Sequence, residues 1–147
     1  MTKSNQGDPV AAFNEVLSEV IDSIYEVKQA YRKVSSASEL HDELGNLLND
    51  LVSWKTLLGD RDLAMGVSAL SFMSSADGRR PLNLWPGNPT FDEVRALVDE
   101  HLNQLANHLA AVLSQQVDEE SRNALADVLR GMNAHRDVLA RLIAVDG

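Results

Sequence analysis

Four histidines and 22 acidic residues carry the coordination chemistry available to this 147-residue chain, because cysteine is absent. Imidazole and carboxylate together suit iron and similar cations. In helical bundles that hold two metal ions, the recurring signal is Glu-x-x-His, which projects both side chains into the core. The residues three places before His41, His101, His108 and His135 are Ser38, Val98, Leu105 and Met132. No such pair exists, so a two-metal centre of that type inside one bundle is not expected. His101 and His108 are seven residues apart. They fall on one side of a helix, about 20° from each other and roughly 10 Å apart along its axis, too far to share one ion. His135 borders an apolar stripe. All three read as amphipathic side chains at the edge of a core. Glu15, Glu19, Asp22 and Glu26 form an acidic stripe that reads as the solvated face of a helix. No glycine-rich phosphate loop and no nucleophile elbow occurs, so hydrolase and nucleotide chemistry have no support.

The elements that must position these residues are helices. Asp8-Pro9 is a helix start, with a capping acceptor followed by proline at the first helical position. Phe13, Leu17, Val20, Ile24, Val27 and Tyr31 then recur at spacings of four and three, one face of a helix. "VSSAS" breaks it, and Ser36 with Glu39 forms a capping-box signature for a second helix. Leu40, Leu44, Leu47, Leu51 and Leu58 supply the buried face of that helix, with Trp54 beside it and Gly59 as a stop. A shorter helix is expected over "DRDLAMGVSALSFMSS", followed by irregular chain through "ADGRRPLNLWPGNP". Thr90 with Glu93 opens a third long helix, expected to run to about Gln116. Asp118 caps a fourth, with Leu125, Leu129, Met132, Leu139 and Ile143 in phase. Four long helices with one connection of roughly thirty residues between the second and third predict an all-α, ferritin-like four-helix bundle with a short helix in the crossover. Residues 1–9 are expected to be a flexible tail and 10–147 the single domain.

Composition agrees with that class. A content of 44% hydrophobic, 24% charged and 5% aromatic residues fits helices packed on helices in one soluble domain. No apolar run approaches the roughly 20 residues of a membrane span, and no secretory signal is evident, so no membrane association and a cytoplasmic location are expected. The net charge of −9, with Lys3 the only cation before Pro9, predicts DNA binding that is weak or absent at physiological salt.

Three stretches resemble the Dps family, the ferritin-like miniferritins. "VKQAY" followed by "LHDELGNLL" resembles the end of the family's first helix and the start of its second. "RPLNLWP" resembles the proline-bounded link into the third. "FDEVRALVDEHLNQLANHL" and "DEESRNALADVLRGMNAHRDVLARL" resemble the last two helices in length, caps and apolar phase. The likeness covers nearly all the chain beyond Val10. It implies a homo-oligomer, a hollow dodecamer, with an iron-oxidising centre lying between two subunits.

Carried over residue by residue, the family's ligand pattern is thinned. Tyr31 stands where the first histidine belongs, or Gln29 if the turn is not shortened, and Arg32 replaces the tryptophan that usually follows. His41 matches the second histidine. Gly45 replaces an aspartate, Thr56 replaces another, and Asp60 stands for the glutamate. His41 and Asp60 are therefore the metal donors that remain, in a degenerate site that also includes Tyr31, Gly45 and Thr56. Asp99, with Glu100 beside it, falls where acidic residues line the family's pores. The resemblance implies an iron-sequestering, stress-protective cage with iron as its cation and a ferroxidase centre absent or much weakened. The alternative is a non-catalytic helical cage or interaction protein that binds a partner or DNA without oxidising iron.

Overall fold

A computed structural model describes residues 9–64, 90–116 and 118–142. The described chain contains four α-helices and no strand: α1 (Pro9–Lys33), α2 (Glu39–Ala64), α3 (Phe91–Leu113) and α4 (Glu119–Arg141). Each helix follows from an apolar stripe, but the stripes are wider than strict spacings of three and four suggest. In α1 the buried set is Phe13, Val16, Leu17, Val20, Ile21, Ser23, Val27 and Ala30, whereas Ile24 and Tyr31 are only half-buried against the core. The reason is that α1 touches two neighbours, α2 and α3, so its buried face must be broad enough to meet both.

The neighbouring pairs are α1–α2, α3–α4, α1–α3 and α2–α4. Their cross-contacts fix direction. Glu26 meets His101 while Glu19 meets His108, so α1 and α3 are antiparallel. Glu43 meets His135 while Arg61 meets Asp118, so α2 and α4 are antiparallel. Arg95 near the start of α3 reaches the Leu139 carbonyl near the end of α4. It follows that α2 and α3 are parallel: the chain leaves α2 beside the N-terminus of α4 and enters α3 at the opposite end of the bundle.

Two of the helix caps follow their local sequence signals and one is displaced by two residues. Thr90 and Glu93 form a complete capping box on α3. The Asp118 carboxylate accepts from the Ser121 amide and caps α4. The serine that caps α2 is Ser38 rather than the expected Ser36. Its hydroxyl accepts from the His41 amide at 3.1 Å, because the helix begins at Glu39 and the cap must directly precede it. Gly59 does not stop α2, which continues to Ala64. The first residues of the expected short helix are therefore the end of α2, and the rest of it lies outside the described residues, as do Asp8 and the tail before it. α3 ends at Leu113, a few residues short of Gln116. The buried Gln116 side chain donates to the Pro9 carbonyl at 3.0 Å and ties the end of α3 to the start of α1.

Gly131 on α4 packs directly against the Trp54 ring on α2. A methyl group there would lie 2.6 Å from Trp54 Cζ2, inside any tolerable contact. Gly131→Ala is therefore expected to cost about 1–3 kcal/mol by overpacking, read by urea denaturation. Trp54→Phe on the Gly131→Ala background should recover part of it, and an unchanged midpoint in Gly131→Ala would contradict the packing.

Candidate functional site

The residues carried over from the family resemblance are partly brought together within the chain. Tyr31, near the end of α1, stacks on His41 in the first turn of α2, with ring centroids 4.0 Å apart and planes inclined by 26°. A Cβ on Gly45 would meet Tyr31 Cε1 at 3.2 Å. Tyr31 and Gly45 are thus complementary in volume: the ring occupies the space that a side chain at 45 would need. Thr56 and Asp60 lie further along α2, about 16 Å and 22 Å from Gly45 at 1.5 Å per residue, and both are exposed. Thr56 donates its hydroxyl proton to the Val52 carbonyl. Gly45 and Thr56 nonetheless share one stripe of α2 with two exposed apolar residues, Val52 and Leu63, all within an arc of about 40° at 100° per residue.

The two acids assigned to a pore differ in their freedom. Asp99 is held from α4 by the Arg136 guanidinium, Nε donating to Oδ1 at 3.0 Å. Glu100 is exposed and accepts from Gln104 Nε2 one turn later at 3.1 Å.

The other three histidines turn out to be cross-helix rungs, and their acidic partners were not legible as such. His101 Nδ1 lies 2.9 Å from Glu26 Oε1, an ion-pair distance, and Nε2 lies 2.6 Å from Ser23 Oγ. The Ser23 hydroxyl in turn donates to the Glu19 carbonyl at 2.8 Å. His108 Nδ1–H donates to the Glu19 carboxylate at 2.8 Å. The acidic stripe of α1 is therefore not merely solvated, since Glu15, Glu19 and Glu26 each meet a histidine of α3. A signal existed: Glu19 and Glu26 are seven apart, as are His101 and His108, so antiparallel helices bring them together in register. Ser23, His101 and Glu26 follow one another as in a catalytic triad, but the Ser23 proton goes to the Glu19 carbonyl and not to His101. Ser23 is fully buried, so no substrate can reach its hydroxyl. The set is a polar lock between helices.

His135 is the most enclosed of the four. Nδ1 lies 2.5 Å from Glu43 Oε2 and Nε2 2.7 Å from Asp50 Oδ2, so the protonated ring donates to both carboxylates. Trp54 packs edge-on against it. Burial pushes its pKa down, but the hydrogen bonds and charges of Glu43 and Asp50 outweigh this and leave it raised above 6.5. Because the two ring nitrogens point to opposite sides, Glu43 and Asp50 flank the imidazole and do not converge on a common point. Near the end of α2, Asp62 is fully buried, and neither of its carboxyl oxygens has a hydrogen-bond partner among the described residues. Burial raises its pKa from 3.8 to about 6.

Among the described residues, no group of three or more histidines and carboxylates is arranged to hold a metal ion, and no helix is long and apolar enough to cross a membrane. No family model, curated protein or solved structure matches the chain.

Proposed function

We propose that this chain is the subunit of a Dps-like miniferritin, a cage that sequesters iron and whose inter-subunit oxidation centre has lost most of its donors. The observation that carries the reading is the connectivity: neighbouring helices are antiparallel, and α2 and α3 run parallel, as in ferritin-like bundles with one long crossover. The stripe of Gly45, Val52, Thr56 and Leu63 supports it further, because exposed apolar residues alongside the matched positions favour burial against a second copy. In this reading His41 comes from one subunit and Asp60 from the next. Tyr31 and Gly45 fill with an aromatic ring the space in which a histidine and an aspartate would hold iron. Two donors fall short of what iron needs, so oxidation is slow and iron enters chiefly as a cation drawn by negative potential. Glu100 contributes to that potential more freely than Asp99, which Arg136 already neutralises.

The Tyr31–His41 stack also favours a second reading, a helical cage or interaction protein that handles no iron, since it occupies the one histidine retained from the pattern. Light scattering followed by aerobic Fe(II) loading separates these outcomes. The first reading expects an assembly of about 190 kDa, twelve chains of 16.1 kDa, closed by symmetry. It expects iron retained after desalting and Fe(II) oxidation little above the protein-free rate. The combined change Tyr31→His, Gly45→Asp, Thr56→Asp and Asp60→Glu should raise that rate. A stable monomer at micromolar concentration overturns the cage, and an iron-free assembly selects the second reading. Fast oxidation by the unchanged protein, abolished by His41→Ala, overturns the degenerate centre.

A further inference from the structure

Along the outer seam of α1 and α3, beside the Glu26–His101 rung, lies a cleft of about 210 Å³. Its floor is Val27 and Val98, which are 1% and 3% exposed. Leu97 forms a wall and remains 41% exposed, an uncovered apolar side chain. The remaining lining is Glu26, Glu100, His101 and Gln104, so the cleft pairs an apolar floor with two carboxylates and has neither lysine nor arginine in it. This chemistry discriminates among ligands. Anions meet like charge at Glu26 and Glu100. A hard metal ion needs more oxygen donors than two carboxylates and gains nothing from valine and leucine. A neutral alkane gains the floor but leaves Glu100 without a counter-charge, while Glu26 has His101 beside it at 2.9 Å.

We propose that the cleft binds a primary alkylammonium, its chain on Val27, Val98 and Leu97 and its head group between Glu26 and Glu100. An ammonium carries three N–H donors. The rim offers matching acceptors in the two carboxylates and in Gln104 Oε1, which stays available because Gln104 donates to Glu100 through Nε2. The site shares Glu100 with the proposed cation entry but needs neither bound iron nor the exposed stripe of α2.

The test is titration of the whole protein with hexylammonium chloride at low ionic strength. It is followed by calorimetry and by leucine and valine methyl spectra, which remain observable in a large assembly. Saturable binding with Kd on the order of a millimolar is expected, with methyl shifts centred on Val27, Leu97 and Val98. Hexanoate should not bind, and hexanol should bind at least tenfold more weakly. Glu26→Gln should weaken hexylammonium about tenfold. Glu100→Gln, on an exposed residue with little influence on folding, should also weaken it several-fold. Hexanol binding as well as hexylammonium, unchanged affinity in both variants, or shifts spread over the acidic surface without saturation would each overturn the proposal.

Discussion

Replacing His135 with leucine should lower the unfolding free energy by about 3–5 kcal/mol at pH 6, the range for removing one partner of a buried ion pair. The loss comes less from the missing hydrogen bonds than from what remains. Glu43 is only 8% exposed, and without the imidazolium its carboxylate would be left uncompensated between α2 and α4. Asp50 is exposed and water replaces its partner cheaply, so Asp50→Asn should cost no more than about 1 kcal/mol. The double change His135→Leu with Glu43→Leu should recover much of the single-variant loss, because an apolar pair carries no desolvation penalty. The pH dependence is a second signature. The folded pKa of His135 is raised above its unfolded value of 6.5. Its contribution is therefore complete below 6.5 and is lost as the pH rises through the higher folded value. Urea melts at one fixed protein concentration, from pH 6 upward, should show wild type converging toward His135→Leu. A gap that stays constant over that range would mean that the imidazole is neutral in the fold and acts only by packing.

How much of this was legible in the sequence depends on whether a feature is periodic or depends on the register between helices. The four helices follow from their stripes, and the boxes at Thr90 and Asp118 are local signals that need no tertiary information. Ser36 and Ser38 show the limit of such signals. In "SSAS" several serines can cap, and the choice depends on how tightly the α1–α2 turn closes, which Ser35 helps to fix by accepting from Ser38 N at 3.0 Å. Glycine disfavours helix interiors and Gly59 therefore signals a stop locally, yet α2 continues to Ala64 with Leu58 buried in the core beside it. Polar contacts across the bundle were the least legible. Glu43 and His135 are 92 residues apart, and nothing local to either shows that one is the counter-ion of the other. The Glu19/Glu26 and His101/His108 spacing is the exception, since matching intervals on antiparallel helices need only a register to become contacts. Gly45 looked like a lost ligand, and only its closeness to Tyr31 reveals the exchange of volume.

Asp62→Asn should stabilise the fold by about 1–3 kcal/mol at pH 8 and by almost nothing below pH 4. Among the described residues the enclosed carboxyl has no hydrogen-bond donor; the adjacent Arg61 gives Nη1 and Nη2 to Glu120 and Asp118 at 2.9 Å each, and its Nε makes no bond to Asp62. Burial raises its pKa from 3.8 to about 6. The folded form holds its proton more tightly than the unfolded form, so the fold is favoured below 3.8 and that advantage is lost as the pH rises through about 6. A rise of that size corresponds to on the order of 3 kcal/mol. The neutral amide escapes this penalty at every pH but retains some desolvation cost of its own, which trims the expected gain. Asp62→Leu supplies an independent check, since it removes the charge without adding an amide to satisfy. Asp62 and His135 act in the same direction, each favouring folding as pH falls toward mild acidity, and protonation also reduces the self-repulsion of a chain with net charge −9. The two are separable by range: the Asp62 difference appears between pH 3.8 and about 6, the His135 difference fades above 6.5. A stability difference between wild type and Asp62→Asn that does not change from pH 3.5 to pH 8 would show that Asp62 is charged in the fold throughout, and therefore hydrogen-bonded.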